Sequence, residues 1–409
     1  ISARWRDEST IELVVHIADV ADMWTDTCPH LEEVVAQRAV GVILENHHGE
    51  VKRLCPMIPS IVASEGYLIE GKRRLCMSFE FLVDTQGKIV GERHFESIVC
   101  CGTQMNYAKA TELLGASQVR HQDLGMSLDL AWQAIDVHRK WRRHNGLGSI
   151  LTVDGANWVQ EERAARLLVT ECMLLVNHYA GSRISLDSMV TPALCFGFPD
   201  AVCVASCREL CSELIRSSSL SLDLGARSVQ SLADVDQALQ AILQDANQDR
   251  SYGNIEAAGA RFLDRVRAIL PRQQYVLRRS SHSDSGSQSS YEHFNKNSFS
   301  WFVERPYFQV SAPFRRYADL IGLRLLKRSV HQASPSASID HCKLGRNLQI
   351  FNARHDLARR AESCFPRLCL LHELRQANLR FMKAMVGPVT ATGFEVLLPV
   401  GGIVSQRVS

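Results

Sequence analysis

The chain has 409 residues, of which 46% are hydrophobic and 22% are charged. This composition is typical of a globular protein and excludes a chain that is disordered over most of its length. A formal net charge of +2 gives no bulk indication of nucleic-acid binding. The longest apolar runs, such as Leu167–Val176, are shorter than the ~20 residues of a membrane-spanning helix. We therefore expect two or three domains, or one large one, and no membrane segment.

The chain contains 13 cysteines, an odd number without the regular spacing of small disulfide-rich domains. This pattern predicts reduced thiols and an intracellular protein, first of all a cytoplasmic one, with the nucleus or an organelle as alternatives. No basic-then-apolar signal peptide opens the chain, and the first residue is Ile1, not methionine. We therefore expect residue 1 to be an internal position of a longer product.

The first hundred residues are predicted to be rich in strands. The mostly aliphatic run Glu12–Ile17 predicts a buried strand, and the spacing of apolar residues in Cys28–Val40 predicts one helix. The turn residues Asp84–Gly87 predict a hairpin whose arms lie in Arg74–Val83, Lys88–Val90 and His94–Cys100.

From Tyr107 onwards, an apolar spacing near 3.6 residues predicts a mostly helical chain. The predicted helices are Ala108–Leu114, Leu128–His144, Gln160–Ala180, Val202–Ile215, Ser231–Gln244, Ile255–Leu270, Tyr317–Val330 and Asn347–Lys383. Ser280–Ser290 is a Ser-rich loop, and Met385–Val408 returns to strands. The fold class expected is therefore α/β (α+β), strand-rich at the N-terminal end and helical in the middle and C-terminal parts.

The most informative stretch, Tyr307–Leu326, contains two adjacent arginines after a helix-start signal. Ser311 is a candidate N-cap and Pro313 suits the first turn, which would place Arg315 and Arg316 at the amino end of the helix. Free backbone N–H groups there favour an anion, and two guanidinium groups would strengthen a phosphate site. The alternative is that these arginines pair with Asp319 or with another carboxylate.

Three other patterns each have a chemical and a structural interpretation. His16 and Asp19 could form a catalytic pair, or His16 could be a satisfied core histidine while Asp19 caps a turn. Cys203, Cys207 and Cys211 could bind zinc, but no further ligands complete the set, so small core residues are the better account. Tyr107, which opens a helix after a strand, could stack on a base or be a half-buried core residue.

The segment Trp141–His144 mixes an aromatic residue with basic ones, as nucleic-acid-binding surfaces do, although a solvated helix end explains it equally well. The common phosphate-binding and acyl-transfer templates, G-x-x-x-x-G-K-[ST], G-x-G-x-x-G after a strand and G-x-S-x-G, do not occur in the sequence. A P-loop, a dinucleotide-binding motif and a nucleophile elbow are therefore excluded as the basis of its function.

Several motifs occur in an order that resembles the RNB catalytic domain of the ribonuclease II, ribonuclease R and exosome-nuclease family. They are VHIADV (Val15–Val20), PMIP (Pro56–Pro59), RRLCMSFEFLVDTQGKIV (Arg73–Val90), ESIVCCGTQMNYAKATELL (Glu96–Leu114), TECMLLVNHYA (Thr170–Ala180) and YFQVSAPFRRYADLIGLRLL (Tyr307–Leu326). The last resembles the family signature Y-x-H-F-T-S-P-I-R-R-Y-x-D-L-x-x-H-R-L-L and is the most specific. The resemblance covers residues 1 to about 330, with a helical tail after them.

The resemblance implies an RNB catalytic domain at residues 1–380, followed by the start of an S1-type β-barrel at residues 381–409. It implies Mg²⁺-dependent 3′→5′ hydrolysis of single-stranded RNA to 5′-mononucleotides, with or without an exosome-like complex as partner. Arg315 takes the position of the catalytic arginine. Four other residues take positions expected to contact RNA, namely Tyr107, Ser311, Arg316 and Tyr317.

The chain also departs from the family pattern. In the family, a run of metal-binding aspartates precedes the strand that leads to HIADV. This chain starts at Ile1, at the position expected just after that aspartate run. We therefore expect the Mg²⁺ ligands upstream of Ile1 and none within the chain, so that these 409 residues alone are inactive. Gln309 and Leu323 replace two family histidines, Ala384 replaces a glutamate, and Gly146–Asn157 matches poorly the segment with a base-clamping aromatic.

Two rival functions remain open at this point. The chain could belong to an RNB-like protein that binds RNA as a regulator without hydrolysing it. It could also be a general helical interaction protein, in which case any RNA binding would be absent or insensitive to salt. An aspartate cluster encoded upstream of Ile1 would favour the nuclease over the regulator.

Overall fold

The structure is a computed structural model, and it describes residues 1–21, 23–24, 28–46, 51–115, 123–145, 162–187, 190–196, 205–206, 209, 273–279, 307–331, 340–376, 385–390, 393–398 and 402–406. The strands are β1 (Ser2–Asp7), β2 (Thr10–Ala18), β3 (Val42–Glu45), β4 (Val51–Cys55), β5 (Arg73–Asp84), β6 (Ile89–Cys100), β7 (Val190–Phe196), β8 (Gln273–Arg279), β9 (Met385–Thr390), β10 (Gly393–Leu398) and β11 (Gly402–Gln406). The helices are α1 (Pro29–Arg38), α2 (Ser60–Ala63), α3 (Tyr107–Gly115), α4 (Asp123–His144), α5 (Arg163–Asp187), α6 (Tyr317–Val330) and α7 (His341–Gln376). This mixture confirms the predicted α/β class.

The chain divides into two compact units. The first comprises Ile1–Asp19, Tyr67–Ser311 and Gly322–His341, and the second comprises Val20–Gly66, Ala312–Ile321 and Cys342–Ser409. Within the described part of the chain, no helix has the length and apolar character required to cross a bilayer.

The first unit is built on an antiparallel sheet with the strand order β1-β2-β5-β6. Every residue of β2 except His16 is buried, and Leu13, Phe79 and Phe81 are completely buried. Helix α4 packs on β1, β2 and β5, and α3 and α5 contact each other. The apolar runs predicted as strands therefore form the sheet side of the core.

The predicted hairpin at Asp84–Gly87 is confirmed. The Asp84 carboxylate accepts the backbone N–H groups of Gln86 and Lys88, both at 2.9 Å. Gly87 has a φ of +84°, a left-handed conformation that favours glycine. Its carbonyl accepts a 2.8 Å hydrogen bond from His138 Nδ1. The turn is thus held both by its own side chain and by α4.

Gly87→Ala is expected to lower the free energy of unfolding by at least about 2 kcal/mol, since an L-residue is strained at positive φ. In addition, the new Cβ would lie 2.2 Å from the carbonyl oxygen of Val137. Gly71→Ala is the matched control, because Gly71 has a φ of +73° but no atom within 4 Å of an added Cβ. Urea denaturation measures both variants, and equal losses of stability would contradict the steric part of this explanation.

The second unit contains α1, α2, the hairpin β3-β4, the first turn of α6, nearly all of α7, and three terminal strands. These strands form an antiparallel sheet of order β11-β10-β9, as the return to strands at Met385–Val408 predicted. Whether they begin an S1-type barrel stays a prediction. Helix α7 starts at His341, six residues before its predicted start at Asn347.

The remaining predicted elements have different outcomes. The bounds predicted for α6 are confirmed, whereas the antiparallel pair β7-β8 was not predicted. Of Val202–Ile215, only residues 205–206 and 209 are described, and they are helical. Four further predictions fall on residues outside those that the structure describes: the helices Ser231–Gln244 and Ile255–Leu270, the loop Ser280–Ser290, and the trio Cys203, Cys207 and Cys211.

Candidate functional site

The adjacent arginines lie on a turn before α6 and not inside the helix, so the expectation that they occupy its first turn after a Ser311 cap is wrong, although the predicted bounds of α6 are right. Helix α6 begins at Tyr317, and the N–H groups of Arg315 and Arg316 both donate to the carbonyl of Ala312 at 3.1 Å. Ser311 and Pro313 therefore precede the helix and do not cap it. The reason is tertiary, because the N–H of Tyr317 donates to the carbonyl of Ala39 at 2.8 Å.

The backbone of the arginine pair is fixed by the segment that follows α1. The N–H of Gly41 donates to the carbonyl of Arg315 at 2.7 Å, and Val40 forms an isolated antiparallel bridge with Arg316. A Cβ atom at Gly41 would lie only 3.3 Å from the Cβ of Arg315 and from the backbone nitrogen of Met57. Glycine at this position permits the close approach of the two segments.

Arg316 is committed to a buried carboxylate. Its Nη2 lies 2.7 Å from Oδ2 of Asp319, and the side chains of Arg316 and Asp319 are 11% and 0% exposed. The same Asp319 oxygen accepts the N–H of Ala312 at 2.8 Å. The sequence left two interpretations of Arg316 open, a phosphate site and pairing with Asp319, and the structure shows the pairing. This carboxylate holds both ends of the turn that carries Arg315.

Tyr317 is a buried anchor of the same turn. Its side chain is 2% exposed, and its hydroxyl donates to Glu32 at 2.9 Å and accepts from Asn347 Nδ2 at 3.0 Å. The indole N–H of the buried Trp24 donates to the other Glu32 oxygen at 3.0 Å. This environment favours a positioning role for Tyr317 over the direct RNA contact predicted from the sequence, because its ring and its hydroxyl are both enclosed by protein.

A histidine that the sequence analysis missed lies in the electric field of the arginines. His355 stacks on the buried Phe351 ring, with the centroids 5.2 Å apart and the planes at 15°. Burial, together with the positive charges of Arg316, Arg359 and Arg315, lowers the pKa of His355 to about 4. Its imidazole is therefore neutral at pH 7. The available signal was the spacing of His355 and Arg359, one helical turn apart on α7.

These residues create a strongly positive location in the second unit. Together with burial, three guanidinium groups lower the pKa of one imidazole against a smaller opposing effect of the Asp356 carboxylate, and the carboxylate of Asp319 is already paired with Arg316. Such a location favours an anion that brings several acceptor oxygens, as a phosphate does.

Tyr107 lies in the first unit and opens α3, as expected. Its side chain is 36% exposed, and the guanidinium carbon of Arg166 lies 4.5 Å from the centroid of its ring. Arg166 also pairs with Glu162 at 2.7 Å. Tyr107 is thus half-exposed and in contact with a cation, and its contact with RNA stays a prediction.

The proposed pair of His16 and Asp19 is not formed. His16 Nδ1 lies 2.7 Å from the Ser78 hydroxyl, and burial lowers the pKa of His16 to about 4. Asp19 instead pairs with Lys327 at 2.7 Å, and the side chains of Lys327 and Asp19 are only 13% and 4% exposed. His16 is therefore a satisfied histidine at the rim of the core, and Asp19 is part of an internal ion pair.

The aromatic and basic residues at the end of α4 also have structural partners. Arg142 and Arg139 both pair with the buried Glu171. The Trp141 ring stacks on His138, with centroids 6.0 Å apart. This part of α4 is tied to α5 by ion pairs, so Arg142 does not belong to the solvated helix end that was the structural alternative.

The described residues do not fit the Mg²⁺ site that the family resemblance implies. Among them, no group of three or more His, Cys, Asp or Glu side chains is arranged to hold a metal ion. The buried aspartates Asp19 and Asp319 are each paired with a cation, Lys327 and Arg316, whereas Mg²⁺ requires free carboxylate oxygens. No step of the chemistry is therefore assigned to a metal held by these residues.

Comparison with known proteins identifies the family. The model of the RNB domain matches residues 1–332. Ribonuclease R of Vibrio parahaemolyticus serotype O3:K6 is 23% identical over 292 residues, which cover 67% of this chain and 31% of that protein. The chain spans between 31% and 44% of the length of the curated relatives that it matches.

Solved structures share the fold at low sequence identity. The structure of Mycoplasma genitalium RNase R in complex with ribose methylated single-stranded RNA has a TM-score of 0.70 at 16% identity, covering 100% of this chain and 60% of that one. The structure of yeast Ssd1, a pseudonuclease, has a TM-score of 0.71 at 17% identity, covering 97% of this chain and 46% of that one. The family match over more than three quarters of the chain, the shared fold and the order of the motifs agree: the chain belongs to the RNB domain family.

Proposed function

We propose that this chain binds the backbone of single-stranded RNA at Arg315, and that it forms part of a 3′→5′ exoribonuclease of the ribonuclease II type. The observation that carries the proposal is the positive cluster around His355, made by Arg315, Arg316 and Arg359. Support also comes from RNase R of Mycoplasma genitalium, whose structure contains single-stranded RNA. An exosome-like partner remains a prediction from the family resemblance.

Each side chain of the cluster has a separate task in this proposal. Arg315 donates hydrogen bonds to a phosphate oxygen and stabilises the charge that develops during hydrolysis. Arg316 holds the turn through Asp319, and Tyr317 anchors its backbone through Glu32. Mg²⁺, where the complete protein holds it, would activate water at the scissile phosphate. The residues of this chain bind and orient the RNA.

RNA binding is expected to raise the pKa of His355 from about 4, because a phosphate placed among the arginines reduces the positive potential that disfavours the imidazolium. The measurement is an NMR titration of the imidazole with and without an oligouridine. His16 is the control, since its pKa is also about 4 but is lowered by burial and by the amino terminus, with no arginine among the causes. A pKa of His355 that does not move when RNA saturates the chain would place the bound phosphates elsewhere.

A second candidate is an RNA-binding regulator without catalysis. It is favoured by the fold shared with Ssd1, a pseudonuclease. Under both candidates, we expect these 409 residues with added Mg²⁺ to bind RNA without releasing mononucleotides. Robust release, followed by chromatography of labelled RNA, would contradict that expectation. A separate assay of the complete gene product distinguishes the two candidates, because the nuclease cleaves RNA and the regulator does not.

A further inference from the structure

The 36-residue helix α7 carries a second concentration of positive charge. Its buried side is formed by Leu344, Leu348, Phe351 and Ala358. The helix contains seven basic and three acidic residues: Lys343, Arg346, Arg354, Arg359, Arg360, Arg367 and Arg375 against Asp356, Glu362 and Glu373. All seven basic side chains are exposed. The helix therefore combines one apolar side with a strongly basic surface.

Most of the basic residues lie on a different side of α7 from its apolar contacts. Four basic residues precede Pro366 besides Arg359, namely Lys343, Arg346, Arg354 and Arg360. With about 100° between successive residues, these four lie within an arc of roughly 120° around the helix axis. The same geometry places the centre of this arc about 120° away from Phe351. Arg367 and Arg375 continue this surface beyond Pro366. We call this surface the basic face, and it consists of Lys343, Arg346, Arg354, Arg360, Arg367 and Arg375.

The basic face is distinct from the phosphate site proposed at Arg315. His355 and Arg359, which belong to that site, project from the apolar half of the helix circumference at the same spacing of about 100° per residue. Asp356 pairs with Arg360 at 2.8 Å, which neutralises one charge at the border of the basic face. Glu362 lies at nearly the same helical angle as Leu344. Positive charge therefore dominates the basic face locally.

We infer that the basic face of α7 is a second contact surface for the backbone of single-stranded RNA. The inference rests on the RNA binding proposed above and extends it to another part of the second unit. From Arg346 to Arg375, successive basic residues are about 9–12 Å apart along the helix. Five of the six are arginines, whose planar fork suits phosphate oxygens. An extended strand laid along the helix would meet these side chains one after another.

Exposed leucines on the same helix raise the alternative of a protein partner. Leu357, Leu368 and Leu371 are 58%, 61% and 44% exposed, and they lie among the arginines. The centre of a protein interface is usually depleted of charged residues, which gather at its rim. Here the charges share the middle of the surface with the leucines, and they outnumber them. This arrangement favours a polyanion as the ligand.

The test compares a triple variant, Arg346→Gln, Arg354→Gln and Arg367→Gln, with the unaltered chain. Fluorescence anisotropy with a labelled oligouridine gives the affinity at several salt concentrations. We expect the affinity to fall about tenfold or more at about 0.1 M salt. The slope of log affinity against log salt should also decrease in magnitude by about 2, because each contact with a single-strand phosphate contributes about 0.7.

The control carries the same loss of charge on exposed residues of the first unit, Lys72→Gln, Arg73→Gln and Lys88→Gln, and its slope should change by less than half as much. A triple variant that keeps the slope of the unaltered chain would overturn the inference. The inference also fails if Leu357→Gln with Leu371→Gln weakens RNA binding as strongly as the arginine changes do. If the unaltered chain shows no salt-dependent RNA binding, the proposed function itself fails.

Discussion

Arg315→Ala is expected to lower the rate of RNA hydrolysis by about 10²–10³-fold in the complete gene product, the loss typical when one donor to a developing oxyanion is removed. RNA affinity should fall only a few-fold, because most of it comes from many backbone contacts. The carbonyl of Arg315 accepts a 2.7 Å hydrogen bond from the N–H of Gly41, so the backbone of the turn should keep its conformation when the side chain is removed. Single-turnover kinetics with labelled RNA separates the rate of hydrolysis from binding.

Two companion variants sharpen this experiment. Arg315→Lys keeps a positive charge but loses the planar fork, so it should recover binding better than it recovers hydrolysis. Lys72→Ala, an exposed change in the first unit, should leave both quantities unaltered. Turnover that remains unchanged in Arg315→Ala would remove this residue from the mechanism.

Asp319→Ala is expected to reduce the free energy of unfolding by about 3–5 kcal/mol, as breaking a buried ion pair usually does. The change leaves the guanidinium of Arg316, which is 11% exposed, without this carboxylate. It also removes the acceptor of the Ala312 N–H. The turn that presents Arg315 should loosen, so RNA affinity should fall together with stability. Chemical denaturation followed by circular dichroism measures the stability.

The matched control for Asp319 is Asp356→Ala. Asp356 also pairs with an arginine, Arg360, at 2.8 Å, but the two side chains are 32% and 59% exposed. Exposed pairs contribute at most about 1 kcal/mol, so this variant should remain nearly as stable as the unaltered chain. Asp319→Asn, which retains an acceptor for the Ala312 N–H, should lie between the two. Equal effects of Asp319→Ala and Asp356→Ala would show that burial does not set the importance of the pair.

Elements with local signals were predictable, whereas contacts between distant segments were not. The hairpin around Asp84–Gly87 and helix α6 follow from turn chemistry and from a clear helical period, both of which are contained in short windows of sequence. The pair β7-β8 joins segments that are far apart in the chain, and no short window contains that information. The expectation that Ser311 caps this helix failed for the same reason, since the backbone of Tyr317 bonds to Ala39.

The candidate site shows the same division between local and tertiary information. The arginine pair was predicted as an anion site from its own neighbourhood, and Arg315 keeps that role in our proposal. His355 and Arg359 were missed because they belong to another helix, and only the folded chain brings their charges close to Arg315. Tyr317 was predicted to contact RNA, but packing buries its ring and gives its hydroxyl to Glu32 and Asn347.

From the order of its motifs alone, the sequence determined the family and the strand-rich and helical regions, because short apolar and turn patterns encode local structure. Tertiary structure alone decided which charges are already neutralised. It assigned Arg316 to Asp319 and Lys327 to Asp19, and it placed a neutral histidine among three guanidinium groups. The physical reason is that the strength of an ion pair and the pKa of a side chain depend on burial and on distances to neighbouring charges, and both quantities exist only once distant segments have packed together.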